Sequence, residues 1–145
     1  VGHYGGKGFI YRDRIEGGDK GEFNNVPFDK AAIQEKAVSY FEKIVTYCEN
    51  KGIELIVITT PVPEETTSAF ADSYENAHQY FQEWMDAYGL TYLDSEVLSR
   101  SMEGYWDYDG HMDGIRAEEF SKVLGTIIEK MNDGNFEYEE YFSEE

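Results

Sequence analysis

Three features of this 145-residue sequence predict an α/β fold with a parallel sheet covered by helices. Helical and strand-like periods alternate over residues 28–131 in the order helix, strand, helix, strand, helix, the order in which parallel sheets are built. The run Ile53-Glu54-Leu55-Ile56-Val57-Ile58-Thr59 is short, β-branched and nearly all apolar, the pattern of a strand buried on both faces. The first two helical stretches each close on a glycine, Gly52 and Gly89, placed where a left-handed C-cap ends a helix before a strand.

The elements follow in order. Residues 1–27 are rich in glycine (Gly2, Gly5, Gly6, Gly8, Gly17, Gly18, Gly21), which predicts an irregular segment with at most a short strand at Gly8–Tyr11. Asp29 to Asn50 reads as a helix with Asp29 as N-cap; Ile33, Ala37, Tyr40, Phe41, Ile44, Val45 and Cys48 recur at three and four. The strand Ile53–Thr59 stops at Thr60-Pro61-Val62-Pro63, since proline ends ladder pairing. A second helix, Ala69 to Tyr88, carries the stripe Tyr74, Ala77, Phe81, Trp84 and Tyr88, and a second strand covers Leu90–Asp94. A loop from Ser95 to Ile115 precedes a last helix, Arg116 to Asn132, with Phe120, Val123, Leu124, Ile127, Ile128 and Met131 inward. An acidic, aromatic tail covers 132–145, anchored by Phe136, Tyr138 and Tyr141. Two firm strands and one doubtful one are fewer than the four to six usual in such sheets, so the chain reads as the second half of an α/β domain whose open sheet edge would pair with another copy.

Composition narrows the partners. Thirty acids against 12 bases give a formal charge of −18, which repels phosphate backbones and anionic lipid and so excludes nucleic acid. No apolar run approaches the ~20 residues of a membrane span, so no membrane insertion is expected of this chain, and nothing resembles a signal peptide. The single cysteine, Cys48, excludes an internal disulfide and is expected to be a buried thiol. An opening Val1 rather than Met predicts a piece processed or cut from something longer.

Ligands of open α/β sheets bind beyond the carboxyl ends of the strands, which points to Thr59–Pro63 and to Asp94 with the loop Tyr105–Gly114. Within that loop His111 is the candidate proton carrier, with Asp109, ahead of Asp107, as the carboxylate that would orient it. Trp106 and Tyr108 could wall a sugar site or simply pack the loop onto the sheet, and Thr60 lies at the strand end. His78, beside an apolar stripe, and His3 are expected to be structural, and Ser95 to be a cap rather than a nucleophile. Asp107, Asp109 and Glu118 match three EF-hand positions, but Met112 stands where that loop needs glycine, so no metal is expected.

The stretch Trp106-Asp107-Tyr108-Asp109-Gly110-His111-Met112-Asp113-Gly114-Ile115-Arg116-Ala117-Glu118-Glu119-Phe120-Ser121-Lys122-Val123-Leu124 resembles the last block of SGNH (GDSL-like) hydrolases, and Lys51–Pro63 is similar to their penultimate core strand. The likeness runs over residues 28–131 and is strongest to the cell-envelope branch that includes alginate acetyltransferase-like and D-alanine-transfer-like proteins. It implies a flavodoxin-like three-layer parallel sheet, of which this chain would hold the second half. It implies serine esterase or acyltransferase chemistry on an acylated carbohydrate or small ester, with no cofactor and an extracytoplasmic, envelope location. His111 would be the base, Asp109 or Asp107 its partner, and Trp106, Tyr108 and Thr60 would meet substrate. The chain departs from the family in having no Gly-Asp-Ser block, in having Tyr108 where the family usually places its acid, and in having Asp113 for the usual asparagine. The expectation is therefore a chain inactive alone, contributing the His/Asp half of a site. The alternative is a non-catalytic binding or scaffold module that keeps the fold.

Overall fold

The structure is a computed structural model, and it describes residues 2–13, 27–62, 64–95 and 111–142. It is mixed α/β, with two two-stranded sheets, one antiparallel and one parallel, and five α-helices among those residues. Two compact units divide the chain: Val1–Asn24, Thr60–Ala69 and Ser95–Glu145 form one, Asn25–Thr59 and Phe70–Asp94 the other.

The first unit opens with a hairpin of β1 (His3–Gly6) and β2 (Phe9–Tyr11), where the sequence predicts at most one short strand. The glycines that hide it make it: Lys7-Gly8 is a two-residue turn with positive φ at both positions (50° and 87°), which matches the twist of the flanking strands. The His3 ring stacks on Tyr11 at 5.1 Å on an exposed strand. Helix α4 (Gly114–Asn132) starts two residues before the predicted boundary, because Asp113 is its N-cap and accepts from the Arg116 N–H at 2.8 Å. Gly114 donates its N–H to the Arg12 carbonyl at 2.7 Å, and a Cβ there would lie 2.4 Å from the Tyr11 ring. Only glycine lets the hairpin approach α4 so closely. Phe120 and Ile127 of α4 are buried, while Ile128 of the predicted stripe faces solvent. The acidic tail is partly helical: α5 (Tyr138–Phe142) buries Phe142 and is tied to α4 by Lys130 Nζ and both Glu140 carboxylate oxygens, at 2.6 and 2.7 Å. The same unit holds the short helix α2 (Glu64–Ala69).

In the second unit Asp29 does cap, but what it caps is a single 3₁₀ turn, Lys30–Ala32; Ile33 and Gln34 are extended before α1 (Glu35–Lys51) begins. Gly52 closes α1 in the left-handed region (φ 63°), and Gly89 does the same (φ 66°) for α3 (Ala71–Tyr88). The predicted second helix, Ala69–Tyr88, is α3 starting two residues later, and the short α2 that precedes it at Glu64–Ala69 was not expected. Strands β3 (Ile56–Thr59) and β4 (Thr91–Asp94) pair in parallel, Ile56 against Thr91 through Thr59 against Asp94. They are shorter than the sequence predicts. The expectation of burial on both faces fails for β3, whose four residues are all half-buried; Tyr92, Leu93 and Asp94 of β4 are buried. Helix α3 packs on β4, and α1 packs on α3 through Phe41 against Trp84 (5.0 Å) and Tyr88 (5.8 Å). Among the described residues of this unit, Val45, Met85, Tyr92 and Leu93 are the buried apolar ones. Cys48 is half-buried rather than buried.

Candidate functional site

Strands β3 and β4 end side by side, so their last residues, Thr59 and Asp94, lie at the carboxyl edge of a parallel pair. Asp94 is buried, and both carboxylate oxygens are engaged. Thr59 donates its hydroxyl to Oδ1 at 2.5 Å, and Nδ1 of His78 lies 2.5 Å from Oδ2. The Tyr92 hydroxyl donates to Thr59 Oγ1 at a long 3.5 Å, and its ring sits 6.0 Å from the imidazole. The chain of contacts thus runs from Tyr92 through Thr59 and Asp94 to His78.

Local structure explains how His78 arrives there. It lies on α3 four residues after Tyr74 and seven before Met85, on the side that packs against β4. Sequence reasoning assigned it to packing; its inward position, read together with an aspartate as the last residue of the next strand, was the signal of a pair.

The arrangement fixes the imidazole chemically. An ionised carboxylate can only accept, so toward Asp94 the ring presents Nδ1–H, and the neutral ring then carries its lone pair on Nε2. The His78 side chain is 34% exposed and that of Asp94 5%, so the carboxylate is sheltered while the ring still meets solvent. This is the orientation a general base requires.

Of the residues expected from sequence to act as catalytic or substrate-binding groups, His111 and Thr60 are described, and both are exposed. His111 stands two residues before the Asp113 cap of α4. Asp107, Asp109, Trp106 and Tyr108 lie outside the described residues. Ser95 is buried, so its hydroxyl is not open to an ester. Among the described residues no group of three or more His, Cys, Asp or Glu is placed to hold a metal ion, and no helix is long and apolar enough to cross a membrane. No family model, curated protein or solved structure matches the chain.

Proposed function

We propose that this chain contributes the imidazole–carboxylate half of an acyl-transfer site to an SGNH-like serine esterase or acyltransferase acting on acylated glycan or a similar ester. The observation that carries this reading is the Asp94-oriented His78 at the carboxyl edge of the parallel strands. In the reaction a serine hydroxyl gives its proton to the imidazole as its oxygen attacks the acyl carbon. The ester C–O bond then breaks, and the departing alcohol takes the proton back. The serine would come from the family's Gly-Asp-Ser block, which this sequence does not contain.

Two histidines can fill the base's place. Geometry favours His78, whereas the resemblance favours His111 with Asp109 or Asp107. One experiment separates them and tests the whole reading. The chain is assayed on acetyl esters alone and then with the sequence encoded upstream of it supplied in trans, complex formation being checked by sedimentation. The reading expects activity in the complex only, lost in either His78→Ala or His111→Ala. A formed complex without esterase or acyltransferase activity, or activity indifferent to both substitutions, refutes it. A fluorophosphonate probe read by intact mass should give no adduct on the chain alone.

A further inference from the structure

Helix α1 has an outward face that its own unit does not use. Its inner side holds Phe41 and Val45, and its acids lie on a separate edge at seven-residue spacing: Glu35, Glu42 and Glu49. Glu42 on that edge accepts from the Tyr88 hydroxyl of α3 at 3.1 Å. The remaining arc, about 100° wide at 3.6 residues per turn, holds Lys36, Tyr40, Lys43, Ile44, Tyr47 and Lys51 and no acid. The three apolar side chains there, at i, i+4 and i+7, are left open: Tyr40 is 55%, Ile44 52% and Tyr47 60% exposed. Lys36 and Lys43 flank the Tyr40 ring at 5.8 and 5.0 Å from its centroid.

Two properties of this face select its occupant. Its spacing is that of a ridge that seats in the groove of another helix. Its charge is opposite to that of the molecule: three lysines and no acid in a chain of net −18. A symmetric pairing with a second copy would set lysine against lysine, which like-charge repulsion opposes. An anionic membrane would meet the lysines but be repelled by the rest of the surface.

We propose that the Lys36–Lys51 face of α1 is a docking surface for an acidic amphipathic helix of a partner protein. Tyr40, Ile44 and Tyr47 fill the apolar seam, Lys36 and Lys43 meet carboxylates along one border of it, and Lys51 meets one at the C-terminal end of the helix. This proposal stands apart from the acyl-transfer reading, since none of its residues belongs to the His78–Asp94 site.

The test uses a fluorescent synthetic helix with leucine at a and d and glutamate at e and g, and a twin with lysine in place of glutamate. Anisotropy at low salt should show saturable binding of the acidic peptide alone, weakening as salt rises. Lys36→Glu with Lys43→Glu should weaken it at least about tenfold, because attraction becomes repulsion. Tyr40→Ser with Ile44→Ser should weaken it as well. Both double variants sit on the outer face and should keep the far-ultraviolet spectrum of the parent. No saturable binding, equal binding of the twin, or binding unchanged in the double variants would overturn the proposal. So would sedimentation showing that the chain self-associates and that Tyr40→Ser with Ile44→Ser abolishes it, since the occupant would then be a second copy.

Discussion

Removing the Asp94 carboxylate should cost stability in a way that depends on His78. Asp94 accepts two hydrogen bonds at 2.5 Å from a position 4% exposed, one from Thr59 and one at His78. A hydrogen bond to a charged group contributes about 1.5–3 kcal/mol. The imidazole is partly wet, so the low end applies, about 1.5 kcal/mol for the His78 contact and a similar amount for Thr59. Asp94→Ala should therefore destabilise the chain by about 3 kcal/mol or slightly more, because it also strands the half-buried Thr59 hydroxyl. The assay is equilibrium urea unfolding of the parent, Asp94→Ala, His78→Ala and the double variant. Two independent sites would add within about 0.5 kcal/mol, whereas the pair should show an interaction energy of about 1.5 kcal/mol. A parallel cycle of Thr59→Val with Asp94→Ala should give a coupling of the same size. Additivity in the His78 cycle would refute the pairing, and with it the geometric case for His78 as base.

Two further outcomes follow from other parts of the molecule. Gly114→Ala drives a methyl group into the Tyr11 ring and should destabilise by about 1–3 kcal/mol, as overpacking does. Gly125→Ala, in the same helix with open space around it, should instead stabilise by about 0.5–1 kcal/mol; a thermal-unfolding comparison that ranks the two alike would contradict the packing described. The Glu140 carboxylate, with Tyr141, holds the Lys130 ammonium above its usual 10.5. A group whose pKa is raised on folding contributes fully below its unfolded value and loses that contribution as pH climbs through the folded one. The stability difference between parent and Glu140→Gln should thus be present at pH 7 and vanish well above pH 10.5, and a difference that persists there would be inconsistent with a charge-based contact.

What could be read from the sequence was what local chemistry decides. Gly52 and Gly89 each end a helix in the left-handed region because no other residue enters it at so little cost, and the two strands after them pair in parallel as the alternation required. The hairpin at His3–Tyr11 escaped because glycine density reads as irregularity, when here it supplies a turn. The six-residue helix α2 escaped because a segment that short is too brief to show a helical period. Burial of β3 on both faces was inferred from apolarity alone, and apolarity does not say how many neighbours a strand will have. The His78–Asp94 pair escaped for a related reason. Its members lie on different elements, and a histidine on an inward helical line looks like packing until the end of the next strand is seen to hold a carboxylate. The resemblance-based assignment of His111 rests on a sequence block instead, and its carboxylates Asp107 and Asp109 fall outside the described residues.

In this arrangement Asp94 sets the tautomer of His78 and leaves the Nε2 lone pair to take a proton. Long-range proton–nitrogen correlation spectra of the imidazole-labelled chain read this directly. The predicted result is a neutral His78 protonated on Nδ1 in the parent, with the preference lost in Asp94→Asn, whose amide can offer a donor in place of an acceptor. A His78 protonated on Nε2, or a tautomer unaffected by Asp94→Asn, would contradict the claim.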